Sequence, residues 1–271
     1  MKVKEAIKSA PILGDLAKLL KNTFNKKLSR IQESRQQFNT HLFRLFCAEL
    51  PQIISNPVFV KVGAHDGITG DPCSDILIAD SSWKGLLIEP VPYLFARLKE
   101  NFSDSTRFTL EQVAVGPKAC KSPFYCMEKG AGESLPGLHD FFDQLGSFNR
   151  QHIFKHYEHL KERLEPFIME IEVEILPLSE ILQKNHVQNC HLLHIDTEGY
   201  DYKVLSTLDF SVTRPLILFI EHKHLGDSEK KELIQLLHKH SYIVKDCGQD
   251  YFAIDKKAKK TLPRGINKKY F

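Results

Sequence analysis

From Pro57 onward the chain alternates between short apolar or β-branched runs and longer stretches whose apolar positions recur at helical spacing. The runs Val58–Val62, Gly85–Ile88, Phe108–Val115, His191–Asp196, Leu216–Glu221, Tyr242–Val244 and Tyr251–Ile254 are strand-sized. Helical candidates at Asp75–Ala79, Tyr93–Asn101, Tyr200–Leu208 and Glu229–His240 lie between most of them. Near-continuous apolar strands alternating with helices predict a mostly parallel α/β sheet with both faces covered. Pro123–Met127 and Glu170–Leu176 read as additional strands, bracketing a polar, aromatic, helix-like insert at 136–165. Before Pro57 the pattern is helical: Ile12, Leu13, Leu16, Leu19 and Leu20 form one stripe, and Leu42, Phe43, Leu45, Phe46 and Leu50 form a second, closed by Pro51. The expected organisation is a helical extension over 1–56, a three-layer doubly wound domain over 57–255, and a loose tail over 256–271.

Composition narrows the class. With 271 residues and a 42% apolar share the chain can bury a substantial core, and no run approaches the ~18 apolar residues of a membrane span. The six cysteines are scattered with no CxxC pair, which reads as reduced thiols rather than a zinc site or a disulfide scaffold. Together with the absence of a secretory signal pattern, this sets a cytoplasmic expectation. The net charge of +3 conceals +6 on residues 1–30 and +7 on 256–271, leaving −10 on the body between them. The basic ends suit either solubility or peripheral contact with an anionic membrane or polymer; an acidic body without a binding module argues against nucleic acid.

The chemistry concentrates at strand ends. The first strand runs into Gly63-Ala64-His65-Asp66-Gly67, a bend where missing Cβ atoms let backbone approach a ligand, or where the chain simply turns tightly into a helix. The second strand ends at Glu89, followed by Pro90, and an acid about 20 residues beyond such a bend is where a nucleotide ribose finds its acceptor. The bend lacks the third glycine of the dinucleotide fingerprint, which favours an adenosine-bearing cofactor with no phosphate to cradle. A later strand ends in Asp196, Glu198 and Asp201, carboxylates able to hold a metal or the positive groups of a methyl donor. His222 and His224 follow the next strand at period-2 spacing, read either as a general base or as loop histidines. His152, His156 and His159 share one helical face of the insert, which reads as a solvated or acceptor-facing polar face before a metal site.

Taken in order, Val62–Gly67, the Trp83–Pro90 segment, Gln112–Gly116, Leu176–Leu182, Ile195–Leu205 with its Asp-x-Glu-Gly core, and Phe219–His222 resemble the FkbM-type S-adenosylmethionine-dependent methyltransferases over about residues 57–254. The resemblance implies a Rossmann-like class I methyltransferase fold with a seven-stranded, mostly parallel sheet. It implies methyl transfer from S-adenosyl-L-methionine to a hydroxyl on a carbohydrate or another natural-product-like small molecule. It puts Gly63, Ala64 and Gly67, with His65 and Asp66 between them, along the methionine part of the donor. Glu89 and Pro90 then fall at the ribose, Gln112 and Val113 near the adenine, Ser74 at the donor carboxylate, and Asp196 at the reacting centre. His222 is the expected general base. A divalent metal on Asp196, Glu198 and Glu221 is compatible with this set but not required by it. Replacing Glu89 by alanine is expected to abolish donor binding and leave stability near wild type.

One position departs from the family pattern. Lys61 stands where the family usually has an acid, and like charges at close range cost ~4 kcal/mol at an effective dielectric of ~20. Unless Lys61 points away or pairs with Asp66 or Asp196, either Asp66 takes over the role or donor binding weakens. Two alternatives follow: a nicotinamide-dependent oxidoreductase, disfavoured by the missing glycine, and a catalytically silent binding module.

Overall fold

The computed structural model describes Gln37, residues 40–138 and residues 142–257. The first helical stripe, residues 139–141 of the insert and most of the basic tail lie outside the described residues. Seven strands form the main sheet: β1 (Val58–Val62), β2 (Lys84–Ile88), β3 (Phe108–Glu111), β7 (Leu192–Ile195), β8 (Ile217–Glu221), β9 (Tyr242–Asp246) and β10 (Asp250–Asp255). Their order is β3-β2-β1-β7-β8-β10-β9, and only β10 runs antiparallel to its neighbours. This is the doubly wound, Rossmann-like class I methyltransferase topology. The strand order reverses between β1 and β7, so the crevice beyond their carboxyl ends is the natural ligand site.

Alternation along each strand divides the core in two. Phe59, Leu87, Leu192 and Phe219 face one layer, whereas Val60, Val62, Leu86, Ile88, Leu193, Leu218 and Ile220 face the other. A helix over 40–49 packs on the first face. Phe43 stacks on Phe219 with centroids 4.1 Å apart, Phe46 stacks on Phe252, and the Trp83 indole donates to the Cys47 carbonyl at 3.0 Å. The second face is covered by the helices Leu178–Lys184, Asp201–Ser206 and Asp227–Lys239, the last of which buries Leu233 and Leu237 one turn apart.

The single strand expected over 108–115 divides. After β3 the chain leaves the main sheet at Gln112 and enters a three-stranded sheet of β4 (Ala114–Val115), β6 (Ile168–Leu176) and β5 (Cys120–Met127). The insert between β5 and β6 forms short helices, including Arg150–His156, around its own core of Met127, Leu145, Ile153, Tyr157 and Leu164. Among the described residues, no helix is long and apolar enough to cross a membrane.

Candidate functional site

A cavity of about 450 Å3 opens at the tips of β1, β2, β7 and β8, roofed by 143–148 of the insert and floored by Thr40 and Phe43. The bend after β1 is held open by glycine. Gly63 has φ +76°, and a Cβ there would fall 1.8 Å from the Asp196 carbonyl oxygen, so the tips of β1 and β7 meet only because the side chain is absent.

Glu89 locks β2 to that bend. Its Oε2 accepts the His65 N–H at 2.8 Å and its Oε1 accepts the Val91 N–H at 2.9 Å, with the carboxylate buried at the cavity wall. Burial pushes its pKa up, against the pull of the two N–H donors. His65 also lines the cavity, its Nε2 3.2 Å from Asp143 and its Nδ1 3.3 Å from Asp66. Burial opposes its protonation, but the two carboxylates override that and raise its pKa to about 9.

The opposite wall is acidic. Asp196 directly follows β7, Glu221 ends β8 and Asp250 begins β10, with Glu198 on the bend between β7 and the next helix. Burial, then the neighbouring Glu198, raises Asp196 to about 7; burial, then Asp196 and Glu198, raises Glu221 to about 11. Burial likewise raises Asp250 to about 6. Glu198 behaves differently: burial would raise it, but His152 and His224 hold it below the ordinary range. The carboxylate Asp201 is turned inward, capping the Thr197 and Gly199 N–H groups at 2.9 and 3.1 Å, and burial beside Asp196 raises it to about 8.

Lys61 is neutralised. Its ammonium pairs with Asp71, which also accepts the Cys73 and Ser74 N–H groups. The partner is therefore neither Asp66 nor Asp196, the two acids the sequence offered. Burial raises the Asp71 carboxyl, but Lys61 overrides this and holds it low.

The profile of the Methyltransferase FkbM domain matches residues 61–244, two thirds of the chain, including the tips of β1, β2, β7 and β8. The chain belongs to the FkbM methyltransferase family. Among solved structures, this FkbM domain aligns with a methyltransferase FkbM from Methylobacillus flagellatus KT at 13% identity and a TM-score of 0.44. That alignment covers 74% of this chain and 44% of the other, so the chain spans under half of that relative's length. No curated protein matches it.

Of the residues expected to bind the donor, Gly63, His65, Glu89, Pro90, Val113 and Asp196 line the cavity of this FkbM domain. Five others stand away from it. Ala64 is packed in the core, and the Asp66 carboxylate caps Ile68 and Thr69. At Gly67 (φ +80°) a Cβ would meet Phe102 and Leu98, so this glycine serves helix packing. Ser74 is buried beside Asp71, and Gln112 is exposed where the chain changes sheets.

His222 is also displaced from the expected role. Because β8 ends at Glu221, the period-2 relation between His222 and His224 is lost. The His222 ring is buried and stacked on Tyr251 at 3.9 Å, outside the cavity lining, while His224 turns toward Glu198. Sequence reasoning missed Asp143, Tyr200, Lys223 and Asp250 as wall residues. Asp143 sits in a single 3-10 turn and Lys223 in a loop, neither with a periodic signal; Tyr200 and Asp250 flank recognisable elements, and their place at the tips was the available clue.

Proposed function

We propose that this FkbM domain transfers a methyl group from S-adenosylmethionine to a hydroxyl oxygen of a carbohydrate or another natural-product-like small molecule. The observation that carries the reading is the Glu89 carboxylate on the cavity wall, tied to the bend at His65 and facing an acidic wall across an open hollow. Each carboxylate oxygen has about two acceptor sites, so one per oxygen remains for a ribose hydroxyl after the backbone bonds are made. The hollow falls within the ~300–1,000 Å3 of typical cofactor sites.

When bound, the donor supplies an electrophilic methyl group on a positively charged sulfur. Glu198, held ionised beside its histidines, and the ionised fractions of Asp196 and Asp250 offset that charge. Lys61 does not oppose it strongly, because its own charge is already matched by Asp71. Asp196, with a pKa of about 7, is suited to take the proton from an acceptor hydroxyl at neutral pH. Most of the rate would come from holding that oxygen in line ~3 Å from the methyl carbon.

Calorimetry with S-adenosylhomocysteine and with NAD discriminates the readings. Micromolar binding of the first alone supports transfer, of the second alone supports redox chemistry, and of neither supports a silent module. Transfer of labelled methyl to a panel of glycans and hydroxylated small molecules then tests the acceptor class. Label that resists alkaline hydrolysis supports an ether; label lost as methanol would mean a carboxylate acceptor.

A further inference from the structure

The insert and the turn after β8 bring three imidazoles onto one carboxylate. His152 and His156 stand one turn apart on the helix Arg150–His156 and so share a face. His224 comes from the turn beyond β8 and Glu198 from the bend beyond β7, where it adopts φ 53°. His152 Nε2 lies 3.2 Å and His224 Nε2 3.1 Å from the same oxygen, Glu198 Oε2. The ring centroids of His152, His156 and His224 are 5.0, 5.1 and 5.2 Å apart pairwise, close to an equilateral triangle. One coordinating atom from each of the four residues lies within 4.8 Å of every other.

Hydrogen bonding alone accounts poorly for this arrangement. One histidine is enough to partner Glu198, and His152 already does so. The Nε2 of His224 is buried and makes no well-formed hydrogen bond. Three imidazoles converging on one point repel one another if protonated, and if neutral each has a single N–H and one ring-nitrogen lone pair left to satisfy. A cation at the centre satisfies all four lone pairs.

We propose that His152, His156, His224 and Glu198 bind a divalent d-block cation, with Zn2+ the best fit. Three imidazole nitrogens and one carboxylate oxygen are a donor set for borderline metals, whereas Mg2+ and Ca2+ select oxygen. Metal–ligand bonds of ~2.0–2.1 Å in a tetrahedron put neighbouring donor atoms ~3.3 Å apart. Two of the nitrogen–oxygen separations already have that length, and the longest need contract by only ~1.5 Å. His156 and Glu198 line the cavity, so the ion would stand in its wall beside Asp196 and Glu221. The site is distinct from an oxygen-only set of Asp196, Glu198 and Glu221, with which it shares Glu198 alone. It does not depend on the methyl donor.

The test titrates the metal-free full-length chain, any affinity tag removed, with Zn2+ by calorimetry and with Co2+ by visible absorption. One equivalent of each is expected to bind, with the intense Co2+ bands of a four- or five-coordinate nitrogen-rich site. His152→Ala and His224→Ala should each weaken Zn2+ at least tenfold, and His159→Ala, exposed and off the cluster, should not. Saturating Zn2+ should raise the thermal midpoint of the wild type but not of the double variant. Should His152→Ala fail to fold, the half-buried His156→Ala replaces it. Absence of saturable binding overturns the proposal. So does one-equivalent binding that survives the double His152→Ala/His224→Ala change, or that is lost in Asp196→Asn while the histidine variants retain it.

Discussion

Glu89 Oε2 accepts the His65 N–H at 2.8 Å, so the side chain facing the cavity also holds the bend that shapes it. With Oε1 on the Val91 N–H, alanine at position 89 orphans two buried donors at once. Each costs about 1–3 kcal/mol, so Glu89→Ala should lose about 2–6 kcal/mol in urea denaturation as well as donor binding. This replaces the near-wild-type stability expected from sequence. Retained stability would mean that the two N–H groups find water instead.

Lys61→Met is expected to destabilise by about 3–5 kcal/mol, because it strands Asp71, whose side chain is only 3% exposed. The double change Lys61→Met/Asp71→Asn should recover much of that loss. S-adenosylmethionine affinity should rise less than tenfold in the single variant, since the lysine charge is already matched. A larger rise would show that Lys61 opposes the donor despite its ion pair.

At Gly63 alanine has no room: the added carbon would overlap the Asp196 carbonyl at 1.8 Å in a backbone of φ +76°. Gly63→Ala should therefore give little soluble folded protein, or a loss above about 4 kcal/mol. Gly130→Ala is the comparison, with similar φ (+87°) but nothing within 4 Å, and should cost only about 1–2 kcal/mol. Thermal midpoints of the two variants separate crowding from backbone conformation.

His222→Ala should lower stability by about 1–3 kcal/mol through loss of the buried stack on Tyr251, and leave turnover within about twofold. Asp196→Asn should cut turnover about a hundredfold or more with the acceptor found by the transfer screen. The reverse ranking would return the proton-accepting role to the histidine.

Stability should decline above neutral pH. Glu221 (about 11), His65 (about 9), Asp201 (about 8) and Asp196 (about 7) keep protons in the folded chain that the unfolded chain has largely released by pH 7. The stabilising charge of His65 is complete below its unfolded pKa of ~6.5 and is lost as pH rises through 9. For Glu221, Asp201 and Asp196, the penalty for ionising a buried acid grows with pH until the folded pKa is passed. Each retained proton corresponds to about 1.4 kcal/mol per pH unit, so urea midpoints should fall by an equivalent of about 4–7 kcal/mol between pH 7 and 9. Over the same range S-adenosylmethionine should bind more tightly as Asp196 ionises, while S-adenosylhomocysteine, lacking the positive sulfur, should change less.

The parts legible from sequence are those whose signal is local. β1, β2, β7 and β8 are near-continuous apolar runs because both faces of the sheet are covered, and Gly63 and Glu89 announce themselves by their place at strand ends. The change of sheet at Gln112 was hidden, since a bend between two β-prone runs leaves the alternation intact. The helix Leu178–Lys184 is short and follows Pro177, so it read as a motif and not as an element. The gathering of His152, His156 and His224 was beyond reach for a different reason. Two of the three share a helix face, but the third joins them only through packing of the insert against the sheet tips.

Phe43, stacked on Phe219, forms part of the cavity floor although it precedes the segment that defines the family. A recombinant fragment trimmed to residues 61–244 would thus lose a wall of its own binding chamber together with the antiparallel hairpin strand β10. Shortened versions intended for crystallisation or screening should begin upstream of Thr40 and extend past Asp255.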